Sequence, residues 1–257
     1  MSRKSQWVRV LVVITVSVGL CIGASAVALG AEMAVVIPGP TLDNPKVSGP
    51  VQTAVVAGGC FWGVQGVYQH VRGVRKVLSG YAGGTKATAE YEAVSRGGTG
   101  HAESVEIVFD PKEVSYGEIL QIYFSVVHDP TQLNRQGPDT GTQYRSSIFY
   151  ADESQRNIAQ AYIAQLDKTK AFGHPIVTRV DPLKGFYPAE DYHQDFLINN
   201  RHYPYIAIND LPKIGNLKQV FTNEGRSIDW FDVKQGEGRW FLQHATQVKN
   251  IWVPYGE

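Results

Sequence analysis

Cysteine is nearly absent from this chain. Only Cys21 and Cys60 occur among its 257 residues. Cys21 lies in a long apolar stretch near the N-terminus, so removal of that stretch would leave Cys60 as the single cysteine. A single cysteine cannot form an intramolecular disulfide, and it is then either inert or chemically active.

An excess of charge of one sign is lacking as well. The chain has 24 Lys and Arg residues against 24 Asp and Glu residues, so no global field attracts nucleic acid, and we expect no nucleic-acid binding. The seven histidines show no ligand spacing with a second cysteine, and we expect no metal. Residues 58–63 lack the Lys-Ser/Thr ending of a phosphate-binding loop, which argues against a nucleotide cofactor.

The first thirty or so residues differ from the rest of the chain. Arg3, Lys4 and Arg9 precede an apolar stretch that runs from Val10 to about Ala31. This pattern is typical of an export signal, and we assign residues 1–31 to a signal peptide or an uncleaved membrane anchor. The protein body is then expected outside the cytoplasm, in the periplasm or cell envelope. Residues 32–50 contain four prolines and no helical or strand period, which predicts a linker or arm.

The hydrophobic periodicity predicts an α+β fold. Predicted strands are residues 53–57, 74–81, 103–109, 147–150 and 175–180, and predicted helices follow Cys60, begin at a capping box over Ser115–Glu118, and span 153–170. The first six elements run strand, helix, strand, strand, helix, strand, which is the split βαβ order. We therefore expect a two-layer sandwich with a ferredoxin-like core, in which helices pack on one face of a mixed or antiparallel sheet.

Cys60 lies where a strand ends and a helix begins, within Gly59-Cys60-Phe61-Trp62-Gly63. Unpaired backbone N–H groups and the positive end of the helix dipole favour a thiolate at such a position. Phe61 and Trp62 would wall a small apolar pocket beside the sulfur. The alternative is a buried structural cysteine within an apolar run.

Glu103 is the candidate proton donor. Strict alternation places Glu103 on the same strand face as Val105, Ile107 and Phe109, so its carboxyl points to the covered side of the sheet. Burial raises the pKa of a carboxyl and lets it act as a general acid near neutral pH. In the alternative, Glu103 lies at the exposed start of the strand, where parity matters little.

Two further features leave the chemistry open. The segment 137–145 is dense in turn formers and hydrogen-bonding side chains, which is typical of a surface loop and also of a binding loop. His101, His128 or His193 would serve as the base of a cysteine-dependent acyl transferase or hydrolase. A binding module without catalysis is a third alternative.

Four sequence blocks resemble the A class of peptide methionine sulfoxide reductases. In chain order they are Gly-Cys-Phe-Trp-Gly at 59–63, Thr-Gly-His-Ala-Glu at 99–103, Gly-Thr-Gln-Tyr-Arg-Ser at 141–146 and Phe-Tyr-Pro-Ala-Glu-Asp-Tyr-His at 186–193. The resemblance covers residues 51–221, which we take as the catalytic domain. It implies reduction of methionine-S-sulfoxide, free or within a peptide, and repair of oxidised proteins.

The resemblance also implies roles for the two reactive residues. In that family a cysteine thiolate attacks the sulfoxide sulfur while the oxygen is protonated, which releases methionine and leaves a cysteine sulfenic acid. Cys60 matches the nucleophile, and Glu103 matches the acid.

Five more positions match residues that hold the substrate in that family. Tyr91 and Tyr144 match the tyrosines that hydrogen-bond the sulfoxide oxygen, and Asp139 matches an acidic residue that supports this network. Phe61 and Trp62 match the aromatic wall that holds the methyl group of the substrate.

The sequence departs from many family members in two ways. No cysteine follows Cys60, whereas those members carry resolving cysteines near the C-terminus. We therefore expect a one-cysteine monomer without bound cofactor, regenerated by an external thiol such as a thioredoxin-like protein, glutaredoxin with glutathione, or dithiothreitol in vitro. Residues 222–257 form a C-terminal extension that the resemblance does not cover. Its aromatic side chains are expected to pack on the domain, and the alternatives are that they cap the pocket or form a contact surface.

Overall fold

The computed structural model describes residues 33–223. Its strands are β1 (Gln52–Ala57), β2 (Val74–Ala82), β3 (Ala102–Phe109), β4 (Arg135–Gln136), β5 (Asp139–Thr140), β6 (Ser147–Tyr150), β7 (Arg179–Pro182) and β8 (Phe186–Pro188). Its α-helices are α1 (Phe61–Gln69), α2 (Tyr91–Ser95), α3 (Tyr116–Ile122), α4 (Glu153–Thr169), α5 (Phe196–Asn199) and α6 (Leu211–Asn223). A π-helical turn at Tyr123–Val127 continues α3, and another at Ile206–Asp210 leads into α6.

One mixed sheet organises the domain. Its strand order is β7-β6-β1-β3-β2-β8, with β4 and β5 forming a separate two-stranded ladder. Neighbouring strands of the large sheet are antiparallel except for the parallel pair β6 and β7. The four inner strands, in the order β6-β1-β3-β2, have the split βαβ arrangement, so the predicted fold class is confirmed.

The helices cover one face of this sheet. Apolar side chains of α1, α3, α4 and α6 meet Val105, Ile107 and Phe109 of β3 in the main core. A second, smaller cluster on the sheet contains Val55, Ala57, Ala82, Ala102 and Phe149 and no helical residue within the described part of the chain. The predicted alternation along β3 therefore places its odd-numbered residues under the helices.

The last predicted strand begins later than expected. Periodicity predicts residues 175–180, whereas β7 starts at Arg179. Arg179 pairs with Ser147, the first residue of β6, so the residues before Arg179 extend past the end of their partner strand. The Val177 N–H instead donates to the Pro130 carbonyl at 2.9 Å. Strand length at this edge of the sheet is set by the partner strand rather than by local sequence.

The predicted linker is an ordered arm where the structure describes it. Residues 33–47, here called the N-terminal arm, contain no helix or strand but lie along α3 and α4. The Val35 N–H donates to the Ser125 carbonyl at 2.9 Å, and the Tyr162 hydroxyl donates to the Pro38 carbonyl at 2.7 Å. The arm thus belongs to the folded domain.

Two predicted segments lie outside the described residues. They are the signal peptide or anchor at 1–31 and the C-terminal extension from residue 224 onward. Within residues 33–223, no helix is both long and apolar enough to cross a membrane.

Candidate active site

The sheet brings three chain segments together at one end of its strands. β3 and β6 are the antiparallel neighbours of β1, so both start where β1 ends. Ala57 at the end of β1 pairs with Ser147 at the start of β6. Cys60 lies three residues after the end of β1, Glu103 lies at the start of β3, and Tyr144 lies three residues before the start of β6. Residues distant in sequence therefore meet at this end of the sheet.

A glycine turn between β1 and α1 presents Cys60. Gly59 has φ +86°, and a Cβ at this position would lie 2.7 Å from the Gln136 side chain. A Cβ at Gly58 would lie 3.0 Å from the ring of His128. Only residues without a side chain fit both the backbone conformation and these close approaches. The turn makes Cys60 the N-cap of α1, as the sequence predicts.

A pocket of about 130 Å³ that opens to solvent lies at this end of the sheet. Its lining includes all seven residues predicted to form the site: Cys60, Phe61, Trp62, Tyr91, Glu103, Asp139 and Tyr144. Tyr203 and Tyr205, which the sequence analysis missed, complete the lining. Their Tyr-Pro-Tyr segment is rich in aromatic residues, but only the fold shows that it reaches Cys60.

Glu103 is buried, with 2% of its surface exposed, so the reading as an exposed strand start is wrong. The pKa of Glu103 is raised to about 8, chiefly by burial. The hydrogen bond from Phe61 acts in the opposite direction, and the charges of Asp139 and Asp210 add to the rise. Glu103 Oε2 accepts this bond from the Phe61 backbone N–H at 3.0 Å. The carboxyl is therefore held beside Cys60 and carries a proton at neutral pH.

Cys60 is a free, buried thiol. Burial raises its pKa well above the usual value, and the charges of Glu103, Asp210 and Asp139 raise it further, whereas the Trp62 backbone amide lowers it. The predicted helix entrance is confirmed, but the predicted preference for the thiolate is wrong as a net effect. Desolvation and three carboxyl groups outweigh the amides at the helix start. Loss of the thiol proton must therefore accompany nucleophilic attack.

Tyrosine hydroxyls supply hydrogen-bond donors around the sulfur. Burial raises the pKa of both Tyr144 and Tyr205, so both keep their protons at neutral pH. The Tyr205 hydroxyl donates to Asp139 Oδ2, which fixes that carboxylate at the pocket. The Tyr91 backbone N–H donates to Glu190 Oε1 at 2.8 Å and anchors the start of α2.

An aromatic wall faces these polar groups. The ring of Trp62 stacks on Phe196 with centroids 3.9 Å apart and an interplanar angle of 12°. Its Nε1–H donates to His193 Nδ1 at 3.2 Å, and Phe61 packs on the same histidine with ring centroids 5.1 Å apart. These contacts fix two large apolar surfaces next to Cys60. The site thus combines a thiol, a neutral carboxyl, hydroxyl donors and a surface for an apolar group.

Comparison with known proteins identifies the family. The family model described as peptide methionine sulfoxide reductase matches residues 52–225, well over half of the chain. The chain belongs to the peptide methionine sulfoxide reductase family. It is an enzyme that reduces methionine sulfoxide, and its relatives place it in the A class of these reductases.

Two relatives of this reductase show the extent of the similarity. Peptide methionine sulfoxide reductase MsrA 2 of Mesorhizobium japonicum is 65% identical over 178 residues, which cover 69% of this chain and 91% of the relative. The protein of the same name from Synechocystis is 54% identical over 192 residues, which cover 74% of this chain and 90% of the relative.

Solved structures share the fold of this reductase. Mxr1 from Saccharomyces cerevisiae in reduced form is 31% identical with a TM-score of 0.55, and the match covers 63% of this chain and 91% of Mxr1. Methionine sulfoxide reductase A of Corynebacterium diphtheriae is 32% identical with a TM-score of 0.52, and the match covers 67% and 89% of the two chains.

No histidine among residues 33–223, the part that the structure describes, lines the pocket of the reductase. His101 bonds to the backbone of Thr85 and Gly84, and His128 bonds to Ser146 and to the Tyr123 carbonyl. Burial lowers the pKa of His128 to about 3 and that of His193 to about 4. His128 and His193 are therefore neutral at neutral pH, and none of the three candidate bases lines the pocket, so the geometry does not favour acyl transfer with a histidine base.

Proposed function

We propose that this reductase acts on methionine-S-sulfoxide, free or within a peptide, with Cys60 as nucleophile and Glu103 as proton donor. The observation that carries the proposal is the placement of both groups at the first turn of α1. Glu103 Oε2 is bonded to the backbone N–H of the residue that follows Cys60. Because the pKa of Glu103 is raised to about 8, the carboxyl enters the reaction protonated.

The apolar and polar sides of the pocket bind different parts of the substrate. In the proposed complex the methyl group lies against Phe61 and Trp62, and the oxygen accepts hydrogen bonds from Tyr91 and Tyr144. Asp139, held by Tyr205, supports this polar side. In this arrangement the sulfoxide sulfur faces Cys60, and the resemblance to the A class implies that the reactive epimer is the S form.

The proposed reaction transfers oxygen from the substrate to Cys60. The electron pair of the Cys60 sulfur forms a bond to the sulfoxide sulfur while Glu103 donates a proton to the oxygen, and the thiol proton of Cys60 restores the proton on Glu103. The resulting hydroxyl group then passes from the substrate sulfur to the Cys60 sulfur as the bond between the two sulfur atoms breaks. The products are methionine and the sulfenic acid of Cys60, so the substrate is reduced by two electrons and the cysteine is oxidised by two electrons.

Regeneration of Cys60 is proposed to need an external thiol. No cysteine follows Cys60 in the sequence, which supports this proposal. One thiol attacks the sulfenic acid and releases water, and a second thiol reduces the mixed disulfide and restores Cys60. A thioredoxin-like protein or glutathione with glutaredoxin has the required chemistry, and oxidised proteins are the proposed substrates.

We also propose that the reductase repairs proteins of the cell envelope. The basic residues and apolar stretch at positions 1–31 support export. These residues lie outside the described part of the structure, so the proposal depends on the sequence pattern alone.

One turnover without reductant tests the chemistry. We expect the purified protein to convert one equivalent of the S epimer, to leave the R epimer, and to gain one oxygen atom at Cys60 in mass spectra. A Cys21→Ser variant should react identically, and a Cys60→Ser variant should not react. Conversion by Cys60→Ser would refute the role of Cys60, and a disulfide between Cys21 and Cys60 would refute regeneration by an external thiol alone.

A further inference from the structure

A buried ion pair lies close to the pocket. Lys213 Nζ is 3.2 Å from Asp210 Oδ1, and both side chains are buried. The second carboxylate oxygen, Asp210 Oδ2, is buried and has no hydrogen-bond partner within the described residues. Burial of two charges costs free energy that their attraction often fails to recover, so a buried pair is weak support for stability as its role.

The pair contacts the helix that carries Cys60. A Cβ at Gly63 would lie 2.1 Å from Asp210 Oδ1 and 3.0 Å from Lys213 Nζ. Gly63 belongs to the first turn of α1, so the absence of its side chain makes room for the pair against the turn that follows the N-cap at Cys60. Asp210 ends the π-helical turn that follows Tyr205, so one segment supplies both a pocket residue and a member of the ion pair.

Acidic groups of three segments act on the Cys60 sulfur. The charges of Glu103 in β3, Asp210 at the end of the π-helical turn and Asp139 in β5 all raise its pKa, and Glu103 and Asp139 line the pocket with it. Tyr91, Tyr144 and Tyr205 line the same pocket. Lys213 contributes positive charge to this group, and it acts electrostatically on both Asp210 and Asp139. His128, on which Lys213 also acts, is neutral at neutral pH.

We propose that Asp210 and Lys213 are positioning residues for Cys60: the Lys213 ammonium balances the carboxylates of Asp210 and Asp139, so that the sulfur can ionise among acidic groups. The proposal rests on the proposed role of Cys60 as nucleophile. It also explains why the motif around Cys60 ends in Gly63, since a side chain at that position would displace Asp210 from the helix.

Alkylation of Cys60 by iodoacetamide at different pH values tests the proposal. The full-length protein is used, and the rate is followed on the Cys60 peptide by mass spectrometry. We expect Asp210→Asn, which leaves the ammonium without its closest counter-charge, to shift the midpoint of the rate profile to lower pH. Lys213→Met should shift it to higher pH, and the double variant should lie near wild type. A shift of about one pH unit corresponds to about a tenfold change in rate below the midpoint.

Two further variants separate electrostatics from folding. Lys213→Arg keeps the charge and should retain the wild-type profile, and Lys218→Met makes the same substitution at an exposed position of α6 and should also retain it. Should Lys213→Met fail to fold, Asp210→Asn decides. Variants that lower the melting temperature but leave the midpoint unchanged would overturn the proposal.

Alkylation requires no sulfoxide, so this experiment is independent of turnover. If the charge variants shift the alkylation midpoint but Cys60→Ser still reduces sulfoxide, Cys60 is not the nucleophile, while the electrostatic effect of Asp210 and Lys213 on its thiol stands. If Cys60→Ser abolishes turnover but the charge variants leave the midpoint unchanged, only the electrostatic effect of Asp210 and Lys213 is refuted.

Discussion

Glu103 shows how one buried side chain serves both structure and chemistry. Its carboxyl accepts a hydrogen bond from a backbone N–H of α1 and lines the pocket together with the thiol that we propose as the nucleophile. An ionised carboxyl at this position would oppose both the formation of a thiolate and the development of negative charge on the sulfoxide oxygen. Keeping the proton on Glu103 removes this repulsion and provides the proton that the oxygen needs.

Glu103→Gln is expected to change the pH dependence of the first step. In wild type, attack requires a deprotonated Cys60 and a protonated Glu103, so the single-turnover rate should rise and then fall with pH, with apparent pKa values that belong to the pair. The variant lacks the acid, so its rate should rise with pH without the later fall. At neutral pH we expect a loss of about 10²- to 10⁴-fold, measured by quenched-flow formation of methionine.

The amide of the variant keeps an acceptor for the Phe61 N–H, so the helix cap should survive the substitution. The far-UV circular dichroism spectrum serves as the control for an intact fold. A bell-shaped profile in Glu103→Gln would assign the alkaline fall to a different group.

At the scale of secondary structure, the N-terminal arm acts as an extra cap for α3. Asp43 accepts hydrogen bonds from the Ser115 hydroxyl and, at 2.8 Å, from the Gly117 N–H. Asp43 thus adds a second acceptor to the predicted capping box, which Ser115 and Glu118 form. A carboxylate at a helix N-terminus also interacts favourably with the helix dipole. The arm thus stabilises a helix that packs on the sheet far from the thiol.

Asp43→Ala is expected to lower the free energy of unfolding by about 1–2 kcal/mol, since it removes a cap from half-buried donors. Urea unfolding followed by circular dichroism measures this change. Leu42→Ala, at a neighbouring and more exposed position of the arm, is the matched control, with an expected effect within about 0.5 kcal/mol. Equal effects of the two substitutions would contradict a capping role for Asp43.

At the scale of the whole molecule, several buried groups are held in their neutral forms. Burial raises the pKa of Glu103 from 4.5 to about 8, and it lowers the pKa of His128 and His193 from 6.5 to about 3 and about 4. Folding therefore retains a proton on Glu103 that the unfolded chain releases above pH 4.5. Below pH 6.5 the unfolded chain takes up protons on the histidines that the folded protein does not bind.

These shifts predict a maximum in stability near about pH 6.5. Stability should fall as pH decreases from 6.5 because of the histidines, and as pH increases towards about 8 because of Glu103. Each linked proton contributes about 1.4 kcal/mol per pH unit. Urea unfolding at pH 5, 6.5 and 8 measures this profile, and Glu103→Gln should reduce the loss between pH 6.5 and 8. Parallel profiles for the variant and wild type would contradict the burial of an ionisable Glu103.

The local sequence by itself determined much of this protein. The glycine turn before Cys60, the alternation that buries Glu103 and the capping box at Ser115 depend on neighbouring residues, and each is confirmed in the structure. The order of β1, α1, β2, β3, α3, β6, α4 and β7 follows from hydrophobic period, whereas the short elements β4, β5, β8, α2 and α5 and the last helix α6 were not predicted. The four motif blocks are sufficient to indicate the family. The absence of a cysteine after Cys60 is likewise readable without a structure.

Only the tertiary structure decided what depends on contacts between distant segments. The acidity of Cys60 is a sum over desolvation and carboxyls from separate segments, so the helix start alone predicts the wrong direction. Tyr203 and Tyr205 line the pocket because the chain after α5 returns to the end of the sheet where β1 finishes. The start of β7 is set by β6, and the ordered arm by α3 and α4. Burial and long-range charge have no local sequence pattern, which is why these features emerge only in the fold.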